Sequence, residues 1–379
     1  MVFQPEAKFQ QFVHSKFREN TIRVLYIPSL RDTPSHVFLG VNKFGKVGLY
    51  EPEKFTMLHT YMLDLSPPFL SESCKTLKAL IKNAPPVARC QRTHLVADTV
   101  HAPDINSIVY GTTKNMLQFY DLGDIESLSF GLEVFPRQKF LKFKKGHSPL
   151  APQNQGHVET HRVFGSASSA PIYCMEYFPS GKTTVVTHAE HNISITGKSQ
   201  SKLIIGDLEG CISILFIEDP SKPFGKKKTR GVLHRIRSED LERTGTLKRY
   251  KAHRDIVREI RFITQRQLII SCSRDRKFSL FIKDFTETTE PYIISLPKGV
   301  NSFAHNDTLK IIATGSDDCI VRLFNQFVMK MPQMELSGHK EPIVAVEFLQ
   351  VPFSENPILI SYSKDVELRA WDTVTFICL

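Results

Sequence analysis

Two histidine pairs have spacings that suit a metal ion. His157-x-x-x-His161 and His188-x-x-His191 would each share one face of a helix. Both pairs sit in polar, loop-like sequence, with no cysteine partner and no paired carboxylate, so no metal ligand is assigned. Covalent and phosphate chemistry fare no better. The chain has no Gly-x-x-x-x-Gly-Lys-Ser/Thr, no Gly-x-Gly-x-x-Gly after a strand and no Gly-x-Ser-x-Gly. Nothing in the sequence assembles a nucleophile with a base or a catalytic pair of carboxylates. The expectation is a protein that is not an enzyme and needs no cofactor. One polar set does recur in order. Ser361, Ser363, Asp365, Trp371 and Asp372 follow one another in ILISYSKDVELRAWDT (358–373).

The elements that must position these residues are short β hairpins. Apolar residues, small or hydroxyl residues, a polar turn and then alternating apolar residues ending in an aromatic make one unit. The unit is clearest in LIISCSRDRKFSLFI (268–282), KIIATGSDDCIVRLFN (310–325) and ILISYSKDVELRAWDT. An aspartate stands six residues before the aromatic in each: Asp275 to Phe281, Asp318 to Phe324, Asp365 to Trp371. Weaker copies are VFLGVNKFGKVGLYE (37–51), SIVYGTTKNMLQFYD (107–121) and KLIIGDLEGCISILF (202–216). Phe281, Phe324 and Trp371 lie 43 and 47 residues apart. A lone hairpin cannot bury its faces, so units at such a period must stack on their neighbours.

This pattern resembles the WD-repeat β-propellers. His253 in Tyr250-Lys-Ala-His and His339 in Leu336-Ser-Gly-His occupy the Gly-His place, and Trp371-Asp372 is the Trp-Asp pair itself. The resemblance implies an all-β, WD40-type propeller with six recognisable blades, leaving open a seventh blade or an incomplete ring. It also implies that His, strand hydroxyl, turn Asp and Trp share one buried hydrogen-bond chain: His253, Ser271 and Asp275 in one blade, and His339, Ser361 or Ser363, Asp365 and Trp371 in another. Residues 250–373 are further similar to WD-repeat proteins of cilia and flagella that often carry an EF-hand, the group of the WD repeat on Y chromosome protein. The chain has no EF-hand loop, and it stops eight residues after Trp371, so the resemblance points to a shortened or partial member.

Hydrophobic residues make up 41% and charged residues 23% of the 379, an ordinary globular composition. No apolar run is long enough to span a membrane, and the N-terminus lacks a signal-peptide core. Seven dispersed cysteines without a Cys-x-x-Cys pair read as reduced, packing thiols. Residues 1–20 read as a docking segment, with Phe9, Phe12, Val13 and Phe17 on one helical face. Residues 71–83 read as a short helix. The propeller takes 21–379, interrupted by insertions near 122–170 and 218–250 and a polar loop at 188–201.

The net charge of +10 is concentrated in the two larger insertions. Lys142, Lys144 and Lys145 lie in the first; Lys226, Lys227, Lys228 and Arg230 lie in the second. Such runs either keep loop tips solvated or attract an acidic partner. The functional expectation is a cytoplasmic, non-catalytic scaffold that binds proteins, in a ciliary or flagellar axoneme where tubulin is acidic. An adaptor role, such as a ubiquitin-ligase substrate receptor, is less favoured because Val374 stands where those receptors place an arginine. Nucleic acid is the third partner class, supported by Phe140 and Phe143 among the lysines of the first run but not by the second. No membrane partner is expected.

Overall fold

A computed structural model describes residues 21–28, 36–51, 57–62, 95–122, 130–135, 170–179, 200–219, 234–263, 267–284, 290–351 and 356–379. The alternating segments form six sheets in chain order, each an up-and-down blade. The first holds β1 (Thr21–Ile27), β2 (Val37–Asn42), β3 (Lys46–Tyr50) and β4 (Met57–Met62). The second holds β5 (Val96–Ala102), β6 (Ser107–Thr112), β7 (Leu117–Asp121) and β8 (Phe130–Phe135). The third holds β9 (Ile172–Phe178), β10 (Ser201–Asp207) and β11 (Cys211–Ile217). The chain then makes β12 (His234–Arg237), α1 (Ser238–Arg243) and β13 (Leu247–Lys251). The fourth blade is β14 (Val257–Ile263), β15 (Leu268–Ser273), β16 (Leu280–Asp284) and β17 (Tyr292–Ile294). The fifth is β18 (Ser302–Asn306), β19 (Ile311–Gly315), β20 (Val321–Asn325) and β21 (Met334–Leu336). The sixth is β22 (Ile343–Leu349), β23 (Ile358–Ser363) and β24 (Leu368–Asp372).

Every hairpin read from the sequence is present, but the insertions need correction. The stretch near 122–170 contains β8, the outer strand of the second blade. The stretch near 218–250 supplies β13, which completes the third blade against β11. It also supplies β12, which crosses to the second blade and pairs in parallel with β8. Ile236 of β12 and Leu241 of α1 are buried in the core shared by those two blades, and this burial makes the crossing favourable. Residues 1–20, the segment 71–83 and the loop 188–199 lie outside the described residues.

Packing follows the chain. Five hydrophobic clusters lie at the five junctions between successive blades, such as Leu323, Val346, Leu359 and Trp371 between the fifth and sixth. Among the described residues no cluster joins the sixth blade to the first. The contrast shows in burial: β19 of the fifth blade is buried at every position, while β23 of the sixth alternates.

A second tie runs along the inner strands. β1, β5, β9, β14 and β22 each carry a bulge near their first residues. The residue just past it, opposite the end of the second strand, reaches toward the next blade. Arg23 meets Asp98. Asp98 Oδ2 accepts the Met175 N–H at 2.7 Å. Cys174 Sγ donates to the Val257 carbonyl. Glu259 Oε2 accepts the Phe303 N–H at 3.1 Å and the Ser302 hydroxyl at 2.8 Å. Ser302, at the matching place in the fifth blade, accepts the Val346 N–H. The series ends at Ala345 in the sixth blade, which has no polar side chain.

Replacing Asp98 with alanine strands the buried Met175 N–H. The expected loss is about 2–3 kcal/mol, read as a lower urea midpoint at unchanged slope. An unchanged midpoint would show that this contact carries no stability.

Candidate functional site

The recurring polar set is placed by the hairpins. Ser361 lies in β23, Trp371 in β24, and His339 in the loop entering the sixth blade. Strand alternation points Ser361 and Trp371 toward the fifth blade, where both are buried. His339 Nε2 lies 2.7 Å from Ser361 Oγ, and the indole Nε1–H donates to the same oxygen at 2.8 Å. The imidazole stands edge-on to the indole at 6.5 Å between centroids. In the fourth blade His253 Nε2 lies 2.7 Å from Ser271 Oγ, and its Nδ1 meets the Phe278 carbonyl at 2.6 Å. His339 Nδ1 is buried without a hydrogen-bond partner.

The aspartates do not join these chains by hydrogen bonds. Asp365 accepts the Ser363 hydroxyl and the Glu367 N–H. Asp275 accepts from the backbone of Lys277 and Arg254. Both carboxylates cap turns, and in the fourth blade the cap also holds the loop after His253. Ser361 is the hydroxyl that meets the histidine, while Ser363 belongs to the turn.

Equal spacing conceals a difference between blades. Trp371 pairs across the hairpin with Leu359, and Phe324 with the matching Ile312. Phe281 pairs instead with Ser271, because the turn of the fourth blade is two residues longer. A slip of two keeps each side chain on its face, so Phe281 still packs edge-on against His253 at 6.1 Å. The fifth blade has no histidine in this place. There the buried Arg322 binds Asp318 and Glu335, linking turn to outer strand.

One inner strand holds a strongly perturbed carboxyl that no sequence motif marked. Burial raises the Glu176 carboxyl to about 8, with Arg261 opposing and Glu259 adding to the shift. Its Oε2 is buried with no hydrogen-bond partner, while the backbone N–H of Phe262 in the next blade acts on the carboxyl against the rise. Arg261 reaches both Glu259 and, past the fifth blade, Glu347 of the sixth. Asp104 is another junction: it accepts hydrogen bonds from Tyr177 and Ser201 of the third blade. These groups hold blade to blade. Among the described residues no group of three His, Cys, Asp or Glu side chains could hold a metal ion. His157, His161, His188 and His191 lie outside the described residues. So do Lys142, Lys144, Lys145, Lys226, Lys227, Lys228 and Arg230.

Trp371→Ala and His339→Ala should each cost about 2–4 kcal/mol, combining a truncated core with an unpaired buried group. Thermal melts indistinguishable from wild type would remove the structural role given to them. His253 also sets a pH dependence. Burial lowers its imidazole to about 4, against the pull of the Phe278 carbonyl and Asp275. Between pH 6.5 and 4 the unfolded chain binds a proton there that the native state refuses. Stability from this group is therefore complete above pH 6.5 and falls as pH drops to 4, by roughly 3 kcal/mol. Denaturation midpoints across that range, compared with His253→Gln, measure it; the variant should show a shallower fall.

A family model for the WD domain, G-beta repeat, matches residues 244–281 and 292–325, within the third to fifth blades. Over 263 residues the chain is 24% identical to the WD repeat-containing protein on Y chromosome of Drosophila pseudoobscura pseudoobscura, covering 65% of this chain and 23% of that protein. Over 264 residues it is 25% identical to the Drosophila virilis protein of the same name, covering 66% and 20%. The chain thus spans about a fifth to a quarter of the length of these relatives. Among solved structures, the computationally designed Ika8 protein is similar with a TM-score of 0.50 and 11% identity, covering 93% of this chain and 73% of that one. That likeness is one of fold.

Proposed function

We propose that this chain, which carries WD40 repeats folded as propeller blades, works as a non-catalytic scaffold within a ciliary or flagellar assembly. WD-repeat proteins generally act as protein-interaction scaffolds. The observation that carries the reading here is where the polar chemistry goes. His253 and His339 are bound to strand serines, Asp275 and Asp365 cap turns, and Asp98 and Glu259 tie inner strands together. Function is then left to the loop-bearing rims of a rigid frame.

The partners proposed are proteins with acidic surfaces, tubulin or other axonemal components among them. The outer strand of the third blade presents Lys248, Arg249 and Lys251 to solvent, downstream of the lysine-rich run at 226–230. Such a surface speeds encounter with an acidic partner and weakens with salt. The axonemal setting rests on the sequence resemblance to ciliary WD-repeat proteins, and the cytoplasmic location goes with it.

The test is a tagged pull-down from ciliated cells, at low and high salt and with and without nuclease, read by mass spectrometry. Axonemal proteins that survive nuclease support the scaffold; ribonucleoproteins lost on nuclease treatment move the assignment to RNA. Reversing the charges of Lys226, Lys227 and Lys228 should leave the melting temperature in place and reduce partner recovery several-fold at low salt. Full recovery of every partner would assign those lysines to solubility alone.

A further inference from the structure

The third blade keeps an outer edge that is open to pairing. β13 is its outermost strand, and among the described residues no strand pairs with its far side. The Phe216 N–H donates to the Thr246 carbonyl at 2.8 Å, and the Ala252 N–H to the Gly210 carbonyl at 3.1 Å. With β13 in register on β11, those bonds put the hydrogen-bonded pairs at residues 246, 248, 250 and 252. Leu247, Arg249 and Lys251 therefore turn their N–H and C=O groups outward, away from β11. The outer strands β17 and β21 have three residues each, whereas β13 has five and offers a longer run.

The neighbouring blade shows what such an edge accepts. The outer strand β8 of the second blade already takes a fifth strand, β12, paired from Leu132↔His234 to Phe135↔Arg237. The frame thus tolerates strand addition at a blade's rim. On the third blade the charge of the edge selects what can be added. Side chains of β13 alternate between the two faces of the sheet. Leu247 packs into the junction with the second blade and Tyr250 into the junction with the fourth. Arg249 and Lys251 share the face of Leu247, and Lys248 shares the face of Tyr250; all three cations are exposed. Lys283 of the fourth blade lies over the Tyr250 ring, 4.3 Å from its centroid, and extends the positive surface. Arg249 Nε donates to Ser213 Oγ at 3.2 Å, and Lys251 Nζ donates to the Glu209 carbonyl. Both acceptors are uncharged, and Arg249, Lys251 and Lys283 enter no ion pair among the described residues. A strand laid on this edge meets positive charge on both of its faces. That repels another copy of the same edge and favours a segment rich in carboxylates.

We propose that β13 is a docking edge, on which an extended acidic segment of a partner protein adds as the fifth strand of the third blade. The proposal rests on the reading that this chain binds acidic proteins, and it specifies the form in which one is held. Backbone bonds to Leu247, Arg249 and Lys251 supply the register; the cations on either face supply the preference for glutamate or aspartate.

The test uses the full chain and a labelled peptide of alternating glutamate and threonine, followed by fluorescence anisotropy at low salt. A second peptide of the same sequence is N-methylated at two adjacent central residues, which blocks both of its edges and leaves its charge intact. The first should bind roughly tenfold more tightly than the second. On binding, amide exchange read by NMR should slow at Leu247, Arg249 and Lys251, while Lys248 and Tyr250, already bonded to β11, change little. Arg249→Pro removes an outward N–H at an edge position that tolerates proline, so it should keep the wild-type melting temperature and lose about tenfold in affinity. Arg249→Gln keeps that N–H and should lose only about threefold, a difference that high salt erases. Equal binding of the two peptides, with no alternating protection, would overturn strand addition and leave attraction by charge alone. Tighter binding of a single-stranded oligonucleotide of equal charge, with the same amides unprotected, would overturn it in favour of nucleic acid. Absence of peptide binding while axonemal proteins are recovered in the pull-down would overturn the docking edge and spare the scaffold; absence of both would overturn the two together.

Discussion

One contact per junction organises the molecule: a side chain just past the start of each inner strand that reaches into the next. Hydrophobic clusters supply most of the burial between blades, but area alone is non-directional and would tolerate sliding. The reach of Asp98 to the Met175 N–H, of Glu259 to Phe303 and of Ser302 to Val346 fixes the height at which one blade sits on the next. Asp98 and Glu259 lie where the inner strand bulges, which turns the side chain toward its neighbour; Ser302 holds the matching place in a strand of regular register. A buried unpaired N–H costs more than the bond returns, so each contact penalises misregister more than it adds stability.

Much of the architecture was legible in the sequence because hairpins are local. The six units from 37–51 to 358–373 alternate at period two around polar turns, and each became a second and third strand of a blade. The ties between blades were not legible. Their partners stand tens of residues apart, and their types change from Arg23 to Asp98, Cys174, Glu259 and Ser302, so no residue pattern repeats. The outer strands were also hidden. β8 and β13 lie in stretches that read as basic insertions; β13, LKRYK, is an edge strand, which needs little apolar sequence when charge protects it. The grouping of His339, Ser361 and Trp371 could be read by analogy with related repeats. The separation of Asp275 and Asp365 into turn caps could not, since a carboxylate two residues from its backbone donors gives the same sequence spacing.

The inner strands also gather charge that the motifs did not foretell. Glu176 sits among Arg23, Glu259 and Arg261, and burial keeps its proton on at neutral pH. A neutral carboxyl there lets two more acids, Glu259 and Glu347, share Arg261 without leaving a third negative charge nearby. The polar residues of the described blades thus do structural work of two kinds, within a hairpin at the histidines and between hairpins at the inner strands.

The parallel strand β12 has a consequence for how the protein is made. β8 ends at Phe135, and its outer partner begins at His234. On a ribosome adding 5–20 residues per second, the second blade emerges with a bare edge and waits roughly 5–20 s for its last strand. During that interval the blade is a nascent sheet with open backbone donors and acceptors, the kind of edge to which chaperones and misfolded neighbours attach. Its sheet is completed only as the third blade is completed, so synthesis delivers these two blades as a pair.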